Sequence, residues 1–305
     1  MRRPFESGGY RFAGWLIPRL PRRVLLGMAR WAGKWVPRFS SRLKKLGMIN
    51  LNAVFGDTKT PEEKAEILQT SFATFALTML DLLWFTRHTT ARIQKYVRLD
   101  PSLERFFVHD KGFVCITAHL GNWEVISQIA ALQGIDIAAI AATIKNRAVN
   151  QLLIQQREKS GQTIIPREGA LRTLISRLRK NGKVAFLLDQ NTPEKQGGIE
   201  ISFMGFPTPI SSAPAMLAYR TGSEIVFGFC TPQPDGSYLI NSPGSIQPPP
   251  FEKGKDATEI TQKLTQEIAE QIEAEIRRHP QHWLWAYKHW RRKKGKEYPS
   301  NYPRY

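Results

Sequence analysis

Apolar residues along this chain keep two different rhythms. Through the first ninety or so residues they recur every three or four positions, the period of helices. Over residues 10–38 the pattern predicts an amphipathic helix. Leu25, Met28, Ala32 and Trp35 share one face, and Arg23, Arg30 and Lys34 share the opposite one. Trp15, Trp31 and Trp35 add large amphipathic rings, which together with the basic face describe a helix that lies in a membrane interface. An ordinary surface helix packed on its own domain has the same pattern. Thr60, Pro61 and Glu63 mark the next helix start: an N-cap, a first-turn proline and the partner of a capping box. That helix runs through Ile67, Leu68, Phe72, Phe75, Leu80 and Leu83 towards Trp84, facing either a core or a greasy channel.

From residue 113 short apolar runs alternate with helical patterns. Residues 113–118, 137–142, 163–165, 184–188 and 225–229 read as strands; 122–132, 147–159, 170–180 and 211–221 read as helices. This alternation predicts an α/β fold, a mainly parallel (mixed) central sheet flanked by helices. Residues 199–203 and 237–240 are candidates for further strands at its edge. A last helix over 257–278 carries Ile260, Leu264, Ile268, Ile272 and Ile276 on one stripe. The organisation expected is a basic amphipathic membrane-interface segment, residues 1–50, followed by a single domain, residues 51–305.

Charge adds a partner to this picture. Lys and Arg number 44 against 26 Asp and Glu, a formal net charge of +18. Residues 1–50 hold 12 basic residues and one acidic residue, and residues 277–305 hold 9 and one, so the ends carry the excess. Such ends attract nucleic acid, anionic lipid headgroups or phosphorylated substrates. The tail from Lys288 to Lys294 suits nucleic acid, yet no RRM, KH, zinc-finger or helix-turn-helix pattern accompanies it. Tryptophans beside basic clusters suit a bilayer equally well. An anionic membrane surface is therefore the expected partner and nucleic acid is not. Arg19, Arg22 and Arg23 break up any signal-peptide core, and no apolar run is long enough to span a bilayer, so a peripheral or monotopic protein is expected. Cys115 and Cys230 lie in apolar runs and read as buried free thiols of a reducing compartment. The histidines are scattered and no glycine-rich phosphate loop is present, so neither a metal nor a cofactor is expected.

One short run carries chemistry. His119-Leu120-Gly121-Asn122-Trp123-Glu124 follows the apolar stretch Phe113–Ala118. A buried strand would end on His119, Gly121 would permit a tight turn, and Asn122 could cap the helix that follows. Glu124 in its first turn could reach back to the imidazole, fix the tautomer and leave the other ring nitrogen to accept a proton. That is a general base for a hydroxyl or amine. A core histidine beside a helix-capping glutamate fits the same residues.

The run resembles the H-x4-D/E motif of the lysophospholipid acyltransferase superfamily, in the form found in the lauroyl and myristoyl acyltransferases of lipid A biosynthesis. Later blocks are similar to that branch in the same order: Asn146-Arg147 to Gln156-Arg157, Pro166 to Arg172 with Lys180 to Val184, Leu188-Asp189-Gln190-Asn191, Phe203 to Thr208, and His282-Trp283-Leu284-Trp285 with His289-Trp290-Arg291-Arg292. The likeness covers about residues 50–292. Asn191 stands where the branch has a second carboxylate, and the N-terminal anchor of the branch is here an interrupted basic stretch.

The resemblance implies O-acyl transfer from an acyl thioester, carried by acyl carrier protein or coenzyme A, to a hydroxyl of a lipid A-like glycolipid at the cytoplasmic face of an inner membrane. His119 and Glu124 would form the base dyad. Arg157 would stabilise the oxyanion or hold a phosphate; a solvated helix arginine is the plainer alternative. Asp189 would orient Arg157 or acceptor hydroxyls, or cap structure. Asn122 would border the substrate or shape the turn. Another lysolipid or aminolipid acceptor, a non-catalytic lipid-binding protein and a basic nucleic-acid-binding protein are the competing readings.

Overall fold

The computed structural model describes residues 9, 12–107, 110–141, 151, 154–155, 157–158, 162–166, 169–254, 256–291 and 297–305. Most of the expected helix over 147–159, the Asn146-Arg147 block, Arg167, Glu168, Arg292, Lys293 and Lys294 lie outside these residues.

Three helices build the first part: α1 (Arg22–Phe39), α2 (Ser41–Phe55) and α3 (Pro61–Trp84). The capping box of α3 forms as the sequence predicts. Glu63 N–H donates to Thr60 Oγ1 at 3.2 Å, and Thr60 N–H donates to Glu63 Oε2 at 2.7 Å. Among the described residues α3 is the one helix long and apolar enough to cross a membrane by length and composition. Half of its most apolar window is buried inside the protein, with Leu68, Phe72, Leu77, Leu82 and Trp84 in the core. The cores on either side of the sheet both draw on it.

α1 lies along α3 and carries two apolar stripes rather than one. Leu25, Ala29 and Gly33 are buried against the domain, while Val24, Met28, Trp31 and Phe39 are exposed. The expected face of Leu25, Met28, Ala32 and Trp35 is thus split, because packing on α3 selects the positions one step round the helix. Arg23, Arg30, Lys34 and Arg38 are exposed on the third side. Gly33 permits the close approach: a Cβ there would sit 2.6 Å from Gln69 O and 2.8 Å from Ala73 Cβ. Residue 50 falls inside α2, where Asn50 donates through Nδ2 to the carbonyls of Trp285 and Tyr287, each at 2.7 Å, and so ties α2 to the C-terminal segment.

The chain continues through α4 (Thr89–Tyr96), β1 (Val97–Leu99), α5 (Glu104–Phe107), β2 (Phe113–Thr117), α6 (Trp123–Leu132), β3 (Ile137–Ala141), β4 (Thr163–Pro166), α7 (Leu171–Arg179), β5 (Lys183–Leu187), β6 (Gly198–Phe203), β7 (Phe206–Ser211), α8 (Ala213–Thr221), β8 (Glu224–Phe227), β9 (Phe229–Pro232), β10 (Tyr238–Asn241), β11 (Ser245–Ile246) and α9 (Thr258–Arg278). The main sheet has the order β11-β8-β2-β5-β3-β4 and is parallel except for β11 at one edge. The fold is therefore mixed α/β with helices flanking the sheet, as the strand–helix alternation predicts. β2 is buried at every position, which is why its sequence is an unbroken apolar run rather than an alternating one.

The two expected edge strands do not join this sheet. Residues 198–203 pair with β7 in a separate hairpin, and residues 238–241 sit in a second sheet of order β1-β10-β9. β7 went unread because Pro207 and Pro209 interrupt it. It pairs with β6 on one side only, where missing proline donors are tolerated.

Replacing Gly33 by leucine is expected to lower stability by about 1–3 kcal/mol through overpacking against α3. Gly27→Ala, on a side of α1 where an added Cβ meets nothing within 4 Å, should leave stability unchanged or raise it by up to about 1 kcal/mol. Thermal unfolding of the two variants checks the seam.

Candidate active site

β2 and β5 are adjacent parallel strands in a register that pairs Thr117 with Leu187. Two more residues on each strand bring His119 opposite Asp189, at the carboxyl ends where open α/β sheets bind ligands. The contact is doubled. His119 N–H donates to Asp189 Oδ2 at 3.0 Å, and His119 Nδ1 lies 2.7 Å from Asp189 Oδ1. An ionised carboxylate only accepts, so Nδ1 carries a proton, and in the neutral ring Nε2 carries the lone pair. Nε2 has no hydrogen-bond partner among the described residues, and the His119 side chain is 21% exposed while Asp189 is fully covered.

Asp189 is the carboxylate on the ring, and Glu124 is not. Glu124 turns to Arg157 instead. Arg157 Nε donates to Oε2 at 3.0 Å and Nη2 donates to Oε1 at 2.6 Å, a two-pronged contact, while Trp123 Nε1 adds a third donor at 3.1 Å. The expected pairings of the two carboxylates are thus exchanged. The reason is geometric: nearness in sequence favours Glu124, but strand register sets a residue seventy positions away directly beside the ring. Burial by itself lowers the Arg157 guanidinium, and the Glu124 carboxylate outweighs it and raises it.

A third element closes the site from behind. Trp283 Nε1 donates to Asp189 Oδ2 at 2.8 Å, and its ring stacks on His289 at 4.1 Å between centroids. Burial alone would raise the Asp189 carboxyl, but His119, with His289 and the Trp283 N–H, holds it down at about 2. Burial pushes His289 down to about 4, and its ring nitrogens lie 3.2 Å and 2.9 Å from the carbonyls of Asp189 and Leu284. Asn191 donates through Nδ2 to the carbonyls of Lys288 and His289, which pins this C-terminal segment. A carboxylate at 191 has no proton for either carbonyl, so the amide found there fits where an acid would not.

The turn between His119 and α6 is fixed at nearly every peptide. Leu284 N–H donates to His119 O at 3.1 Å, Gly121 N–H to His282 O at 3.0 Å, and Asn122 N–H to Cys230 O at 2.7 Å. Thr78 Oγ1 donates to Gly121 O at 2.9 Å. Gly121 has φ of 61°, and a Cβ there would meet Cys230 O at 1.9 Å, so no side chain fits. Asn122 stands at the N-cap position of α6 without capping it. It is fully buried, and its Nδ2 donates to Asp81 Oδ2 at 3.2 Å. Sequence reasoning passed over Asp81, although a single carboxylate inside the run Leu80-Asp81-Leu82-Leu83-Trp84 is a signal that could have found it.

A half-buried histidine held by a buried carboxylate, with one ring nitrogen open and a clamped arginine nearby at the ends of parallel strands, is an arrangement that can take up a proton. The chain belongs to the bacterial lipid A biosynthesis acyltransferase family, whose profile matches residues 10–292. It is similar to phosphatidylinositol mannoside acyltransferases of Mycobacterium tuberculosis (27% identical over 183 residues, 59% of this chain and 54% of the relative) and of Mycolicibacterium smegmatis (24% over 184 residues, 59% and 57%). The aligned stretch thus spans little more than half the length of these relatives. Among the described residues no group of three or more His, Cys, Asp or Glu side chains is placed to hold a metal ion.

Asp189→Asn is expected to cost about 1–3 kcal/mol of stability, because an amide cannot accept from His119 and Trp283 at all the points the carboxylate does. The folded carboxyl is depressed, so its contribution, about 2 kcal/mol, is full above the ordinary carboxylate range and lost as pH falls from about 4 to about 2. The melting temperature of wild type should drop through that window. Asp189→Asn should lack this part of the drop.

Proposed function

We propose that this protein transfers an acyl chain from a thioester to a hydroxyl of a glycolipid. The observation that carries the reading is His119, held by Asp189 through Nδ1 and open at Nε2. A hydroxyl placed at Nε2 loses its proton to that nitrogen as its oxygen attacks the thioester carbonyl. Asp189 stabilises the imidazolium that forms. When the tetrahedral centre collapses the carbon–sulfur bond breaks, and the thiolate takes the proton back from Nε2. Arg157, aligned and kept charged by Glu124, supplies positive charge for the oxyanion or for a phosphate of either substrate. The catalytic set is then His119 and Asp189, with Glu124 and Arg157 as a second pair.

The donor is a thioester of acyl carrier protein or coenzyme A; the positive surface favours either, since both are anionic. The relatives act, by name, on a phosphatidylinositol mannoside, and the family is named for lipid A biosynthesis. What these acceptors share is a sugar hydroxyl on a lipid, and that is the acceptor class we assign. On the α6 side of the sheet Leu103, Phe106, Cys115, Ile129, Ala130 and Phe227 line an apolar cavity of about 60 Å³, room for a few methylene groups and not for a whole acyl chain. The exposed stripe Val24, Met28, Trp31 and Phe39, flanked by Arg23, Arg30, Lys34 and Arg38, suits an anionic bilayer surface, where such acceptors reside.

His119→Ala is expected to lower acyl transfer from thioester to glycolipid at least 100-fold with the fold intact, read by mass spectrometry of the lipid product. Transfer undiminished in that variant, or absent from wild type with both donor types, would overturn the reading.

The double variant Trp31→Glu, Phe39→Glu should sediment with anionic liposomes at least tenfold more weakly than wild type, about 1–2 kcal/mol of lost burial for the two rings. Equal sedimentation, or salt-sensitive retention on DNA without liposome binding, would count against the bilayer as partner.

A further inference from the structure

Beneath the catalytic turn lies a further buried carboxylate, which the proposed reaction does not use. Asp81, in the last turn of α3, is 1% exposed. It gathers donors from three separate elements. Arg22, at the start of α1, pairs with Oδ1. Tyr238, on β10, donates its hydroxyl to Oδ2 at 2.6 Å. Asn122, at the end of the catalytic turn, donates Nδ2 to the same oxygen at 3.2 Å. Arg22 is itself fully engaged: Nε and Nη2 donate to Gly236 O at 3.2 Å and 3.1 Å, and its guanidinium lies 5.1 Å from the Trp84 ring centroid.

A buried ion pair is a poor source of stability, since well-packed apolar residues of equal volume serve as well or better. What this one supplies is direction. Burial raises the Asp81 carboxyl, and Arg22, Tyr238 and Asn122 oppose that rise. With Arg22 on Oδ1 and the Tyr238 hydroxyl donating to Oδ2, the oxygen that faces Asn122 accepts, which turns the NH2 of Asn122 towards Asp81. That choice has a cost: Asn122 Oδ1 is buried with no hydrogen-bond partner among the described residues. Asn122 is three residues after His119 and two before Glu124, so its side chain anchors the peptide between the two halves of the site. Backbone hydrogen bonds hold this turn from His282 and Leu284 in the C-terminal segment and from Cys230 on β9. From α3 it is held by two side chains, Thr78 on the carbonyl of Gly121 and Asp81 on the amide of Asn122.

We propose that Asp81 is a positioning residue for the acyl transfer, acting through Asn122 to hold the turn that presents His119, with Arg22 as its counter-ion. The proposal rests on His119 being the base of the reaction. It predicts that loss of either partner of the Asp81–Asn122 contact disturbs the His119 ring without touching it. Asn122→Ala removes the donating amide and leaves the pair with Arg22 in place, so it tests the link even where Asp81→Asn proves poorly folded.

Each single variant is expected to lower kcat per folded molecule at least tenfold with KM within about twofold. The double variant Asp81→Asn, Asn122→Ala should fall no further than the worse single. In histidine-labelled protein the His119 ring signals should move in both singles. Wild-type kcat per folded molecule in Asn122→Ala, losses that multiply in the double variant, or unmoved His119 signals would each overturn the proposal. The signals are read without turnover, so they decide the positioning role even if wild type transfers no acyl chain, an outcome that would instead overturn the proposed activity.

Discussion

The site hangs on the Asp189 carboxylate and on the strand register that delivers it. Its two oxygens accept from a backbone N–H and a ring nitrogen of His119 and from the indole of Trp283, so three stretches of chain remote in sequence meet on one group. A fully buried carboxylate with fewer donors would be driven towards its neutral form; with these it stays ionised far below neutral pH. Its ionisation in turn decides which nitrogen of His119 bears the proton. The C-terminal segment matters for the same reason. Trp283 and His289 stack behind the carboxylate, and Asn191 keeps that stack in place.

The two carboxylates of the site divide their work by what they face. Asp189 is paired with a group that changes charge when it takes up a proton, and Glu124 with one that does not. Arg157 keeps its charge throughout, so Glu124 fixes a direction rather than a protonation state. The side chains nearest solvent are the ones a substrate would touch. His119 and Arg157 are each 21% exposed, whereas their carboxylates are covered.

How far the sequence speaks depends on how local the information is. β2, its turn and α6 were legible because an apolar run and a glycine act within a few positions, although Asn122, expected as the cap, turns to Asp81 instead. The main strands and α3 were legible for the same reason, down to the reciprocal bonds of Thr60 and Glu63. The partner of His119 was not, since nothing within ten residues of either side chain announces that β5 lies beside β2. The packed side of α1 was misplaced because a helix with apolar residues over half its circumference leaves the choice to whatever it meets. Asp81 was visible as an anomaly, one charge in a greasy run, but the groups that explain it come from α1, β10 and the catalytic turn.

The seam at Gly33 has a consequence for posture. A helix joined to its domain along one flank cannot roll about its own axis. Leu25, Ala29 and Gly33 lock that flank to α3, so the outward ridge of Val24, Met28, Trp31 and Phe39 keeps one heading relative to the strand ends. It works as a keel rather than a tether. Whatever surface the ridge settles into, the distance and direction from it to the open nitrogen of His119 are set by the fold.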